Sequence, residues 1–194
     1  MITRSLASFE ILSNWDALAV AVFDHGNAPP GYSDRKFRFD HLKSQASMGK
    51  MTPTAMSYFN HEIPEYMTRM LAVASCTTSE VPTLVMGTAE AAVLGSLEDR
   101  TVSSKESKIV VNLGNEHTLA FKLHGNTIKG LFEHHTHSLS PKRLESYIEK
   151  LTRGELDNDE IWNDNGHGAL ILEPGYTSCF LSVTGPMRHM LEGS

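Results

Sequence analysis

The most informative part of the chain is residues 108–135, KIVVNLGNEHTLAFKLHGNTIKGLFEHH. It holds three apolar runs rich in β-branched residues, at positions 108–113, 117–123 and 127–132. The runs are separated by the turn signals Gly114-Asn115 and His124-Gly125-Asn126. Because such short turns join antiparallel neighbours, the stretch predicts a three-stranded β-meander.

Two helices and two short strands are predicted after the meander. Ser140 is suited to cap the first helix, and Gly154 is suited to end it. Asp157 is suited to cap a second, shorter helix through Trp162. The strands are predicted at residues 169–172 and 180–183, where short apolar runs recur.

The first half of the chain predicts a smaller α/β part. The apolar runs at residues 18–23 and 81–86 are continuous, which favours fully buried strands of the kind found in parallel sheets. Helices are predicted from Pro64 and, with Thr88 as the cap, over residues 89–97. Residues 35–42 predict a short strand or turn, and the polar segment 98–107 predicts a linker. We therefore divide the chain into an α/β part, 1–107, and a second part, 108–194.

The polar motifs of this α/β arrangement are expected at one edge of the sheet. Strands one and three of a meander run in the same direction, so their ends lie side by side. This places the Gly114-Asn115 turn beside the run Glu133-His134-His135-Thr136-His137. Thr184-Gly185-Pro186 lies there as well if its strand joins parallel to the first, and Asp24-His25-Gly26-Asn27 follows the equivalent edge of the first half. Open α/β sheets bind ligands at such carboxyl edges.

Two kinds of site are consistent with these residue types. A glycine-containing turn can present backbone amides and the Thr118 hydroxyl to a phosphate, or it can be an ordinary hairpin. Glu133 with the histidines can hold a divalent metal or orient a water, or the histidines can be exposed at a strand end. Gly166-His167-Gly168 precedes its strand, so it is expected at the opposite edge or on a loop that folds back.

The composition argues against several classes of protein. The net charge of -6 and the scattered basic residues argue against a nucleic-acid partner. The longest apolar run, residues 17–23, is too short to cross a membrane, and the first residues lack the features of a signal peptide. We therefore expect a soluble, cytoplasmic protein. Two cysteines, Cys76 and Cys179, cannot supply the roughly four thiolates of an iron–sulfur cluster.

Six stretches of the chain together resemble a prokaryotic family of unknown function. They lie at residues 22–27, 34–39, 110–118, 132–136, 166–169 and 183–186, and read VFDHGN, DRKFRF, VVNLGNEHT, FEHHT, GHGA and VTGP. That family carries the label "putative pyruvate formate-lyase activating enzyme". A radical-generating activase needs a Cys-x-x-x-Cys-x-x-Cys ligand set, which this sequence lacks, so the label does not define a mechanism.

The meander followed by a helix also resembles the second phosphate-binding half of the actin-like ATPase superfamily. This resemblance implies a ribonuclease H-like mixed sheet and ATP with magnesium as the ligand. It also implies an incomplete version of the two-domain fold, because there is no Asp-x-Gly-x-Gly-Thr hairpin and the chain ends soon after Thr184-Gly185-Pro186. Asn112 stands where such proteins usually carry a metal-linked Asp, which weakens hydrolysis more than binding.

Three functions follow as alternatives. The first is a nucleotide- or phosphate-binding module, an ATPase or phosphotransferase when complete, that takes a small phosphorylated ligand. Glu133, His134 and His135 are its candidate catalytic residues. Its candidate ligand-binding residues are Asn112, Gly114, Asn115, His117, Thr118 and Gly185.

The second alternative is a metal-dependent hydrolase that uses Glu133 with neighbouring histidines and binds a divalent transition metal. The candidate metal ligands are Asp24, His25 and His135. The third is a non-catalytic interaction protein, in which an incomplete interdomain face favours a homo-oligomer or a complementary domain.

Overall fold

The computed structural model describes residues 6–10, 15–47, 52–77, 80–175 and 179–192. These residues form a mixed α/β structure with two sheets. The helices are α1 Asp34–Ser47, α2 Thr68–Ala74, α3 Thr88–Leu97, α4 Arg100–Ser103, α5 Pro141–Arg153 and α6 Asn158–Asn163. The strands are β1 Leu18–Ala21, β2 Ser57–Phe59, β3 Thr83–Met86, β4 Ser107–Leu113, β5 His117–His124, β6 Thr127–His135, β7 Gly168–Ile171 and β8 Phe180–Thr184. Short 3-10 turns occupy Pro53–Met56, Asn60–Glu62, Thr136–Ser138 and Arg188–Leu191.

The larger sheet has five strands in the order β7-β6-β5-β4-β8. Strands β4, β5 and β6 are antiparallel neighbours, which confirms the predicted meander. Strand β8 pairs with β4 in parallel, and β7 pairs with β6 antiparallel. The ends of β4, β6 and β8 and the starts of β5 and β7 therefore share one edge, which we call the site edge. It is marked by Leu113, His117, His135, Gly168 and Thr184.

The smaller sheet has three strands in the order β1-β3-β2, with β1 parallel and β2 antiparallel to β3. Residues of β1 alternate between half-buried and exposed, so the complete burial predicted for residues 18–23 is wrong. The physical reason is that β1 is an edge strand with only one face covered. The parallel pairing that its composition favoured is confirmed.

Both faces of the larger sheet are covered, which explains why its central strands are buried throughout. One face packs against α5, through contacts that include Phe132 and Leu144, and we call it the α5 face. The other packs against α1 and α3, through Phe39, Val93 and Leu119 among others, and we call it the α1 face. Because α1 comes from the first half of the chain, a division at residue 107 separates two sheets but runs through a shared core.

Residues 35–42 belong to helix α1, so the strand or turn predicted for them is wrong. The buried positions Arg38, Phe39, His41, Leu42 and Gln45 recur at helical spacing. Three of these five side chains are polar, and a search for apolar periodicity therefore does not detect the helix. Arg38 and His41 are buried against partners from other elements, which the local sequence does not show.

Polar side chains cap several of the helices. Ser140 accepts a hydrogen bond from the first turn of α5, and Gly154 ends that helix in the left-handed conformation, as predicted. Asp157 caps α6, which is also confirmed. The segment predicted as a linker holds helix α4, whose first turn donates two amide hydrogen bonds to Asp99. Within the described ranges, no helix combines the length and the apolarity needed to cross a membrane.

The turn after β8 makes a close approach that only glycine allows. At Gly185 the backbone φ is 100°, and a Cβ there would lie 2.3 Å from the carbonyl oxygen of Leu113. We predict that Gly185→Ala lowers the free energy of unfolding by about 3 kcal/mol, because the clash with β4 adds to the cost of the left-handed backbone. Urea unfolding followed by circular dichroism measures this change.

Gly125→Ala is the matched control for this prediction. Gly125 also has a positive φ, 57°, but a Cβ there would meet nothing within 4 Å. Its expected cost is therefore only about 1 kcal/mol. Equal losses at the two positions would contradict the close approach of β4 to the turn after β8.

Candidate functional site

Three histidines and a glutamate converge at the site edge. His25, His117, Glu133 and His167 each offer one nitrogen or carboxylate oxygen, and these atoms all lie within 4.8 Å of one another. We call these four residues the His-Glu cluster. The ring of His135 adjoins it, with its centroid 4.8 Å from those of His117 and His167.

Alternation along β5 and β6 places Glu133 and His117 on the same face of the sheet. Leu131, two residues before Glu133, and Leu119, two residues after His117, both belong to the core of the α1 face. Leu119 is also the register partner of Glu133, and His117 is the partner of His135. Glu133, His117 and His135 therefore share the α1 face, as the ring contacts show.

His25 reaches the cluster from the loop after β1, and Asp24 fixes that loop. One carboxylate oxygen of the buried Asp24 accepts a hydrogen bond from the amide two residues further on, at 2.9 Å. The other oxygen accepts from the amides of Arg69 and Met70 at the start of α2, each at 2.9 Å. Asp24 was predicted as a metal ligand, but one of its oxygens accepts from the Gly26 amide and the other caps α2. Its contribution to the site is to hold His25, whose ring centroid is 4.9 Å from that of His117.

His167 enters the cluster from the loop before β7. Strand β7 runs antiparallel to β6, with Gly168 opposite Glu133, so the start of β7 lies at the site edge. The backbone amide of His167 donates to the carbonyl oxygen of Glu133 at 2.9 Å. A Cβ on Gly168 would lie 2.6 Å from the ring of Phe39, so this turn requires glycine. The sequence allowed His167 to lie at the opposite edge or on a loop that folds back. The opposite edge would have required β7 to run parallel to β6, whereas the two strands are antiparallel.

Several nitrogens of these imidazoles have no hydrogen-bond partner in the described part of the chain. They are Nε2 of His25 and both ring nitrogens of His117 and His167, and all are buried. A buried polar atom without a partner costs about 1–3 kcal/mol, and native cores contain few of them. Their concentration at one point marks a place where an ion or a ligand could be bound.

Burial keeps these imidazoles neutral. It lowers the pKa of His25 to about 3, against the opposing effect of Glu133. Burial also lowers the pKa of His117, His135 and His167. A neutral imidazole carries the lone pair that a metal ion requires, so these histidines are in the metal-binding form at neutral pH.

Glu133 also pairs with Arg38 of α1. The Nε of Arg38 donates to Oε2 of Glu133 at 3.2 Å, and its Nη2 donates to Oε1 of Glu90 at 2.6 Å. All three side chains are at most 5% exposed. Burial alone lowers the pKa of Arg38, but the two carboxylates outweigh it and leave the pKa above its usual value. These two ion pairs join α1, α3 and β6 next to the cluster.

His134, predicted to be catalytic, lies away from the cluster. Strand β6 continues through the whole histidine pair and not only to residue 132, so successive side chains alternate between the faces. The fully buried ring of His134 contacts Tyr147 of α5, and its Nε2 is 3.2 Å from Oδ2 of Asp164. The Tyr147 hydroxyl donates to the same oxygen at 2.7 Å. The sheet therefore separates His134 from Glu133.

The Gly114 hairpin adjoins the cluster, but its polar groups are engaged within the protein. The Gly114 amide donates to the carbonyl oxygen of His117 at 3.0 Å. Thr118 is fully buried, and its hydroxyl is 3.0 Å from that of Thr136. Neither group is available to a phosphate in this conformation, although the sequence predicted that role for both.

Two other residues predicted to bind phosphate, Asn112 and Asn115, lie outside the His-Glu cluster. Asn112 is buried against the turn after β8, where a Cβ on Gly185 would lie 2.9 Å from its Oδ1. Asn115 is exposed at the tip of the hairpin. Of the residues predicted to cradle phosphate, His117 alone belongs to the His-Glu cluster.

Sequence reasoning did not assign a role to His167, Arg38 or Glu90. The position of His167 depends on the antiparallel pairing of β7 with β6, which no local signal in the sequence establishes. Polar residues recur at helical spacing in α1. This pattern would have revealed Arg38 if polar residues had been accepted as candidates for buried positions. Glu90 resembles an ordinary solvated acid in the first turn of a helix. The only local hint is Gly87, where a Cβ would lie 2.0 Å from the Glu90 carboxylate.

Arg38→Met tests the buried ion pairs. It leaves the carboxylates of Glu90 and Glu133 buried without their cation, so we expect the free energy of unfolding to fall by about 3–5 kcal/mol in urea titrations. Adding Glu90→Gln to this variant is expected to restore part of the loss, because one unpaired charge is removed.

Arg153→Met serves as the control, since the Arg153 pair with Glu149 is exposed to solvent. Its expected cost is within about 1 kcal/mol. A loss at Arg38 no larger than that at Arg153 would show that the buried ion pairs do not hold the site together.

Comparison with known proteins gives one result. A family model described as "Putative pyruvate format-lyase activating enzyme (DUF1786)" matches residues 1–190. Searches of curated proteins and of solved structures gave no match. The match spans nearly the whole sequence, including every residue of the His-Glu cluster and both carboxylates that pair with Arg38. The chain therefore belongs to this family of unknown function.

Proposed function

We propose that the His-Glu cluster is a divalent transition-metal centre and that the protein is a metal-dependent hydrolase. The observation that carries this proposal is the group of three imidazole nitrogens and a carboxylate oxygen within 4.8 Å of one another. Histidine nitrogen and carboxylate oxygen bind zinc at about 2.0–2.2 Å, which sets donors about 3.4 Å apart in a tetrahedron. Small side-chain rotations bring the present spacing to that value.

The balance of buried charge supports a cation at this point. The imidazoles are neutral, and the ion-paired group contains one guanidinium and two carboxylates. This ion-paired group therefore carries one excess negative charge, which is costly in a medium of low dielectric constant. A bound cation would offset that charge.

The roles of the four residues follow from their other contacts. Catalytic zinc sites keep about three protein ligands and leave one position for water. We assign His25, His117 and His167 as the ligands, because their buried nitrogens lack other partners. Glu133, which Arg38 holds by one oxygen, is placed to act as the base. A bound metal ion would lower the pKa of a water molecule, Glu133 would take up the proton of that water as its oxygen adds to the substrate, and Glu133 would then return the proton to the leaving group.

We also propose that the larger sheet is the ribonuclease H-like half of an actin-like fold. The meander, followed by α5 and by a strand that returns parallel to β4, supports this assignment. Binding of ATP with magnesium at the Gly114 hairpin stays a prediction, as do a homo-oligomer and a complementary domain. The radical chemistry in the family description finds no support in this sequence, because its two cysteines lie far apart at Cys76 and Cys179.

Metal binding is the first test of the proposed function. We expect protein purified without chelators to contain about one zinc, manganese or iron ion per chain, measured by plasma mass spectrometry. His117→Ala and His167→Ala are each expected to weaken zinc binding by more than about 100-fold in calorimetric titrations, because each removes a ligand.

The matched control for these variants is His124→Ala. His124 is partly exposed and pairs with Glu106, at the end of the meander opposite the site edge. Its replacement is expected to leave zinc affinity unchanged. Metal content well below one equivalent in the unaltered protein, or equal losses in all three variants, would refute the metal centre.

Glu133→Gln separates the role of a base from that of a ligand. We expect the variant to keep its metal, because three histidines hold the ion, but to hydrolyse activated phosphate and carboxylate esters about 100- to 10,000-fold more slowly. Turnover of p-nitrophenyl phosphate and p-nitrophenyl acetate by zinc-loaded protein measures the rate. Loss of the metal from Glu133→Gln would instead make this residue a ligand.

A further inference from the structure

A small cavity lies between α1 and α6 and reaches the His-Glu cluster through His167. Its volume is about 250 Å³, and His167 forms part of its wall. The same side chain is one of the proposed metal ligands. A molecule in this cavity would therefore lie against a ligand of the proposed metal ion.

The wall that α1 contributes to the cavity carries positive charge. Lys36 and Lys43 both line it, seven residues apart and so on the same side of the helix. The neighbouring Arg35 places its guanidinium 3.8 Å from the ring centroid of Trp162, which lines the cavity from α6. Cations and an indole ring thus surround the approach to His167.

Two acidic side chains also line the cavity, but neutral donors already contact them. Oδ2 of Asp40 accepts a hydrogen bond from the Tyr32 hydroxyl at 2.5 Å. Oδ1 of Asp159 accepts one from Nδ2 of Asn158 at 3.3 Å. These contacts stabilise the carboxylates within the protein. The charges of Lys36 and Lys43 balance those of Asp40 and Asp159, so the excess positive charge beside the cavity comes from Arg35 and from the proposed metal ion.

We propose that this cavity is the substrate site of the metal-dependent hydrolase proposed above and that it binds an oxyanion group, a phosphate or a carboxylate. Lys36 and Lys43 contact the anion on one side, and His167, a ligand of the proposed metal ion, faces it on the other. The indole of Trp162 forms an apolar wall for the rest of the substrate. The volume is below the roughly 300–1,000 Å³ typical of pockets for drug-sized ligands, so the substrate is a small molecule.

Trp162 provides a direct probe of the cavity. The chain contains two tryptophans, and the other one, Trp15, is 41% exposed. In a Trp15→Phe background, fluorescence reports on Trp162 alone. We would titrate chelator-stripped and zinc-loaded protein of this background with inorganic phosphate and, separately, with acetate. We expect a saturable change in emission with at least one anion, and tighter binding to the zinc-loaded form.

Lysine variants connect this signal to the cavity wall. In the same background, replacing Lys36 and Lys43 together by alanine is expected to weaken anion binding at least about tenfold, because charge-assisted contacts are lost. Zinc affinity and the far-ultraviolet circular dichroism spectrum should not change. Lys105→Ala is the matched control, since that ammonium lies over the ring of Phe180 at the start of β8, away from the site edge.

The outcomes separate this inference from the metal-dependent function. Lysine-dependent binding of phosphate assigns a phosphorylated substrate, and lysine-dependent binding of acetate assigns a carboxylate. An emission change that does not saturate, or equal affinity in the double lysine variant, overturns the substrate site even if zinc binds. Saturable, lysine-dependent anion binding by a protein that takes up no zinc supports the anion site and removes only the metal function.

Discussion

The guanidinium of Arg38, shared between Glu90 and Glu133, is the constraint on which the site depends. These three side chains come from α1, α3 and β6, and all are buried. A buried cation cannot lose one carboxylate without leaving a charge unpaired, so the three elements must keep one relative position. That position sets Glu133 at the edge of the sheet where the histidines meet. It also explains why a polar helix such as α1 is tightly packed against an apolar sheet.

Neighbouring residues of β6 lie on opposite faces of the sheet and therefore in two different environments. His135 and Glu133 lie on the α1 face beside His117, whereas His134 contacts Tyr147 and Asp164. Because the side-chain period of a strand is two, continuing β6 through both histidines determines which of them adjoins the cluster. The α5 face thus acquires a hydrogen-bonded histidine, and the α1 face acquires a histidine that adjoins the imidazoles of the cluster. The two histidines therefore differ in chemistry although they are neighbours in sequence.

An ion bound in the cluster would couple folding to ligand binding. His25 comes from the loop after β1 and His167 from the loop before β7, so an ion bound between them would join the small sheet to the larger one. Buried nitrogens without partners lower the stability of the empty protein, and a ligand that satisfies them returns that free energy on binding. The same geometry therefore favours an occupied site for reasons of stability as well as chemistry. The neighbouring cavity between α1 and α6 shares His167 with the cluster.

The sequence by itself determined the elements whose signals are local. Apolar runs and glycine turns predicted the meander, and Ser140, Gly154 and Asp157 predicted the ends of α5 and α6. The direction of the first and third strands even predicted that Glu133 lies near the Gly114 turn. Tertiary structure alone decided the rest. The antiparallel placement of β7 brought in His167, and ion pairs across three elements buried Arg38. Such contacts depend on partners that are distant in sequence. Short-range periodicity, in contrast, indicates only which face of an element is apolar.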